Sequence, residues 1–200
     1  MKKIISGIIF VILIICFIVL GTKEYKSDKP TDPELFSSEY QSIDENNIFK
    51  YTNSSKVLQK LKKCSGIIFF GFKEDVWAGY YANVLNDAAM ELGIEEIYYY
   101  DFYEDRKNRN GTYESIVELL KEYLIVLDDG TKNLYSPSIV IVKDGEIVAF
   151  NDDTAIMRGK DNPEEYWSEE QISLEKIKLS NLINQSLINT EVDIDGRITK

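Results

Sequence analysis

The chain has 200 residues, 44% of them apolar, with 13 Tyr and nine Phe, which suits one packed domain plus an extra segment and excludes a disordered chain. The net charge of −11 argues against a nucleic-acid partner, because phosphate binding needs a basic face, and leaves solubility as the role of the charge. Histidine is absent and only Cys16 and Cys64 carry thiols, which excludes Ser-His-Asp and Cys-His catalysis, His-ligated metal, Cys-rich zinc and a disulfide framework.

Lys2 and Lys3 precede an uncharged apolar run from Ile4 to Leu20. At 1.5 Å rise per residue such a run, about 17 residues, just spans a hydrocarbon core. Residues 1–21 are therefore expected to be a transmembrane anchor, with the lysines cytoplasmic and the bulk of the protein on the extracytoplasmic side. The alternatives are a cleaved signal peptide, which would want small residues before the cut, and lipidation at Cys16, which would want a small residue where Ile15 stands. Residues 22–47 are polar, contain Pro30 and Pro33, and read as a linker between membrane and domain.

The domain is expected over 48–188. Ser54–Lys63 puts Val57, Leu58 and Leu61 on one helical face, with Asn53 or Ser54 as N-cap. Ile67–Phe72 is continuously apolar, as a strand buried in a parallel sheet is. Val76–Leu92 repeats apolar residues at helical spacing, and Gly93 follows as a C-cap. Ile97–Phe102 is a second strand, Arg106–Gly111 a turn-rich break, and Tyr113–Leu124 a helix with Ile116, Val117, Leu120 and Leu124 inward. After the loop Asp128–Ser136 comes SIVIVKDGEIVAF, whose Asp144-Gly145 is a strong hairpin signal because a type I′ turn needs positive φ at both positions. Ser168–Ile188 is a closing amphipathic helix, with Ile172, Leu174, Ile177, Leu179, Leu182, Ile183 and Leu187 on its apolar side. A β-α-β unit followed by a hairpin predicts an α/β fold with one mixed four-stranded sheet and helices on both faces. The last residues, 189–200, read as an acidic tail. Its Glu191–Ile198 resembles the start of a calcium loop, but the sequence ends before the twelfth-position ligand, so a solvated terminus is expected. Asp152, Asp153, Asp161, Glu164 and Glu165 are expected to form a solvated face rather than a metal site.

Two local signals carry a resemblance. One is the strand-to-helix corner GIIFFGFKEDVWAG, residues 66–79; the other is Ser136-Pro137 directly before a strand. Together with the element order they resemble the thioredoxin fold, in which a cis-proline sits beside the active-site corner. Closer still, residues 47–188 resemble bacterial membrane-tethered thioredoxin-like proteins of the bacteriocin-accessory type. In those, a strand ending in Gly-Phe is followed by Pro-Glu-Cys-Pro-Trp-Cys. Gly71, Phe72, Glu74 and Trp77 agree with that pattern, while its two cysteines fall on Asp75 and Ala78. A Cys-x-x-Cys pair works because a helix N-terminus stabilises the first thiolate and the second sulfur resolves the mixed disulfide. Asp75 keeps the charge without the sulfur, and Ala78 resolves nothing.

The degenerate corner Asp75, Val76, Trp77 and Ala78 is thus expected to hold without exchanging, with Asp75 capping the helix; as a nucleophile or base it would need a partner within reach. Trp77 packs against the sheet or flanks a peptide groove. The resemblance implies that Ser136, before Pro137, offers backbone groups to an extended peptide, so Trp77, Ser136 and Pro137 are the expected groove. No catalytic residue, cofactor or metal is expected. The expected role is a redox-inactive peptide- or protein-binding accessory module on a bacterial membrane, with a secreted peptide or membrane protein as partner in bacteriocin export or maturation. The alternative is a thiol-disulfide oxidoreductase or isomerase using Cys64 with a partner's cysteine. Cys64 stands at the far end of the strand from the corner, where buried filling is the competing reading.

Overall fold

The apolar run Gly66–Gly71 becomes the central strand of a mixed sheet. In the computed structural model, residues 29–156 and 162–187 are described. The elements are α1 (Asp32–Glu39), β1 (Phe49–Tyr51), α2 (Ser54–Lys63), β2 (Gly66–Gly71), α3 (Val76–Glu91), β3 (Ile97–Asp101), α4 (Tyr103–Lys107), α5 (Gly111–Leu120), β4 (Ser138–Lys143), β5 (Glu146–Asn151), a 3₁₀ turn (Asp153–Ile156), α6 (Pro163–Tyr166) and α7 (Glu169–Leu187). The anchor expected at 1–21 with Cys16, the tail 189–200 and Asp161 lie outside the described residues. Among the described residues no helix is long and apolar enough to cross a membrane.

The strand order is β1-β3-β2-β4-β5, with β1, β3 and β2 parallel and β4 and β5 antiparallel to their neighbours. The sheet therefore has five strands where the sequence predicts four. The added one, β1, is three residues long and pairs Phe49 with Ile97. Period-2 side chains sort the core into two layers. Ile67 and Phe69 face α3 and α7; Ile68 and Phe70 face α2 and α5.

Part of the expected linker 22–47 is folded, and the compact unit begins at Thr31. Thr31 and Glu34 form a reciprocal capping box, and Pro33 sits in the first turn, where its missing N–H costs nothing. Phe36 is fully buried and stacks on Phe49 at 4.0 Å between centroids. The Tyr40 and Tyr99 hydroxyls share a buried 2.9 Å hydrogen bond. Gly79 on α3 lets this segment dock: a Cβ there would stand 3.0 Å from Ser42 Oγ and 3.3 Å from Tyr40.

The helix α2 spans the residues expected of it, with Asn53 as cap. The hairpin turn has φ of 53° at Asp144 and 83° at Gly145, and any Cβ on Gly145 would run into the Lys62 carbonyl. Along β4–β5 the register steps from Ile141↔Ala149 to Val142↔Ile147, leaving Val148 as an extra residue. The expected turn-rich break at Arg106–Gly111 begins inside α4. On α7 the buried stripe is Glu175, Leu179, Ile183 and Ser186, while Ile172, Leu174 and Ile177 are exposed. The spacing of 175, 179, 183 and 186 is helical, so the core face is rotated from the one expected, and it carries a carboxylate.

Candidate functional site

Strand pairing builds the site. Phe70 pairs with Ser138 across antiparallel β2 and β4. Two residues beyond each, Phe72 leaves β2 and Ser136 approaches β4 at the same level, so the corner and the Ser136–Pro137 loop meet. The Ser136–Pro137 peptide is cis.

Asp75 is the N-cap of α3. Its Oδ1 accepts the Trp77 N–H at 3.0 Å, and its carbonyl accepts the Ala78 N–H at 3.1 Å. Its Oδ2 accepts the Ser136 hydroxyl at 2.6 Å, a bond between residues 61 apart in sequence. Burial raises the Asp75 carboxyl above its ordinary value, against the Ser136, Trp77 and Ala78 hydrogen bonds and the Arg106 charge, all of which pull it down. With each oxygen accepting a hydrogen bond, this carboxylate ties the helix start to the loop.

Val76 is 64% exposed, and the Ala78 methyl, at the second cysteine position of the resembling motif, is fully buried. Trp77 is half-buried and packs on Tyr166 of α6 at 5.3 Å between rings. It also lines a cavity of about 350 Å³ whose wall includes Phe72, Glu74, Asp75, Arg106, Tyr135, Ser136, Thr154 and Ala155. Trp77 and Ser136 thus share one groove, while Pro137 is buried and off its wall. The groove's other walls, Arg106 and Thr154, carry no signal in the sequence: one lies in the expected break, the other beyond the hairpin.

A second hollow, of about 440 Å³, opens at the C-terminal ends of the parallel strands and shares only Glu74 with the first. Its carboxylates include Asp101, raised above its ordinary value by burial. Among the described residues no group of three or more Cys, Asp or Glu is placed to hold a metal ion. Cys64 caps the C-terminus of α2 as a half-buried free thiol, and its carbonyl accepts the Gly145 N–H at 2.9 Å. It stands at the β2 end opposite the corner, six strand residues away, about 20 Å at 3.3 Å per residue.

The acidic residues after β5 do not form one solvated face. Asp153, Glu164 and Glu165 are exposed, and Asp153 pairs with Lys178, but Asp152 is buried with Oδ2 unpartnered among the described residues. Glu175, Thr154 and Trp167 likewise bury polar atoms that lack partners.

No protein-family model matches this sequence, and no curated protein matches it.

Proposed function

We propose that the domain is a thioredoxin-like binding module without oxidoreductase activity, which holds an extended peptide in the groove between Trp77 and Ser136. The reading is supported first by the Asp75–Ser136 hydrogen bond. It joins the helix start, where a nucleophilic sulfur would sit, to the loop before Pro137, and it fills that junction with a carboxylate and a hydroxyl. Neither group exchanges disulfides. The N–H and C=O of Ser136 make no hydrogen bond among the described residues, so the loop offers an unpaired peptide group beside an aromatic wall, as strand-like capture of a peptide needs. The apolar run 4–20 suggests tethering to the outer face of a bacterial membrane, and the resemblance suggests a secreted peptide or membrane protein as partner, in bacteriocin export or maturation.

Two measurements test this. In an insulin-reduction assay the protein should add nothing to the rate of dithiothreitol alone; turnover that disappears in Cys64→Ser would establish the oxidoreductase reading instead. In a selection from a random peptide display library, enriched peptides should lose binding to Trp77→Ala. Peptides that bind that variant as well as the wild type would place recognition on another face.

A further inference from the structure

We propose that the groove is a carboxylate site, in which a bound extended peptide sets a carboxylate against the Arg106 guanidinium. This rests on the peptide-binding reading and adds the chemistry of the occupant.

Arg106 leaves α4 and lies over the rings of Phe72, at 5.1 Å, and Phe102, at 5.2 Å. Stacking fixes the guanidinium plane and shields its faces, but its N–H donors still require oxygen acceptors. Among the described residues none is supplied: the Arg106 guanidinium makes no hydrogen bond and no ion pair, and the residue's hydrogen bonds there are those of its backbone, among them one to Phe102 and one from Arg109. Its neighbours differ, since Lys107 pairs with Glu104 and Arg109 with Glu114. In a protein with 34 acidic residues, a half-buried guanidinium without a carboxylate partner is conspicuous. Asp75 shares its cavity, and the Arg106 charge pulls against the burial that raises its carboxyl, yet the two form no ion pair: the Asp75 oxygens accept from Trp77 and Ser136 instead.

A second donor stands on the same wall. Thr154 is 2% exposed, and its Oγ1 has no partner among the described residues. A buried hydroxyl without an acceptor is uncommon, and an incoming oxygen would supply one. A guanidinium fork with a nearby hydroxyl matches a planar carboxylate. A phosphate dianion fits less well, because Glu74 and Asp75 line the same cavity and repel the second charge more.

The test is a side-chain NMR titration of the full-length protein in mild detergent, following the Arg106 Nε–H and Trp77 indole signals. Four probes are compared: N-acetylglycine for a peptide's terminal carboxylate, N-acetylaspartyl amide for a side-chain carboxylate, N-acetylglycinamide as the neutral control and N-acetylphosphoserine amide as the dianion. Either carboxylate probe should saturate at least about tenfold more tightly than the neutral amide, as a charge-assisted hydrogen bond implies, and weaken with salt. Which of the two binds better identifies the source of the carboxylate. Arg106→Gln should abolish the preference and Arg106→Lys should retain part of it, while Glu74→Gln should strengthen binding. The wild-type salt dependence stands even if an Arg106 variant fails to fold. Equal binding of the neutral amide, tighter binding of the phosphoserine probe, or a preference that survives Arg106→Gln would overturn the proposal. Display-selected peptides that need Trp77 but ignore Arg106→Gln would sink this inference and leave the binding reading intact. Carboxylate saturation at Arg106 with no Trp77-dependent peptide would do the reverse.

Discussion

Asp75 carries most of what distinguishes this corner. Its role as a cap is legible in the sequence, because an acid directly before a helical repeat accepts the free N–H groups of the first turn. Its bond to Ser136 is not, since a hydroxyl 61 residues away has no periodicity to betray it. Arg106 and Thr154 were hidden for the same reason: single polar residues in irregular stretches become meaningful only once strand pairing assembles their neighbours. The corner's geometry makes a prediction of its own. The double variant Asp75→Cys with Ala78→Cys puts one sulfur at the start of a 16-residue helix and the other within its first turn. The helix terminus should depress the first thiol below its usual value near 8.5, and the variant should gain dithiothreitol-dependent insulin reduction that the wild type lacks. An inactive, folded double variant would mean that more than the two sulfurs is missing from this corner.

The helices and strands with long repeats were legible, and the short ones were not. The helix α2, the hairpin and α3 follow from periodicity and turn chemistry, within a residue or two. The strand β1 is three residues long, too short for an alternation to register. The helix α1 hid behind its prolines: Pro30 and Pro33 look like a linker, yet Thr31 and Glu34 spell a capping box and Pro33 falls in a first turn that tolerates it. Its one buried residue is Phe36, while Asp32 and Glu39 accept hydrogen bonds from Tyr51. Phe36 packs on Phe49 and meets Tyr99 edge-on at 4.9 Å. Phe36→Ala should destabilise the domain by about 3–5 kcal/mol, read from urea unfolding, as loss of a fully buried ring does. A loss below about 1 kcal/mol would show that α1 is an appendage.

At the scale of the whole molecule, the two core layers were readable from β2 alone, but the buried acids beneath them were not. Glu175 sits 5% exposed on the core face of α7, where an apolar residue would be expected. Burial raises its carboxyl above the ordinary 4.5, the Lys178 charge opposes that, and Asp153 adds to it. The folded state therefore holds this proton more tightly than the unfolded state does. The stabilisation it brings is complete below about pH 4.5 and is lost as pH rises through the folded-state value. Glu175→Gln, which mimics the protonated form, should raise the Tm at pH 7–8 and make little difference near pH 4; an unchanged Tm at pH 8 would show that this carboxyl ionises freely. The sheet's far margin has a consequence as well. At β5 the extra residue Val148 breaks the ladder's regular spacing, and the Tyr123 hydroxyl occupies the Ile147 carbonyl at 3.1 Å. A second copy would find there no even row of peptide groups to extend, so runaway edge-to-edge stacking is blocked at that border.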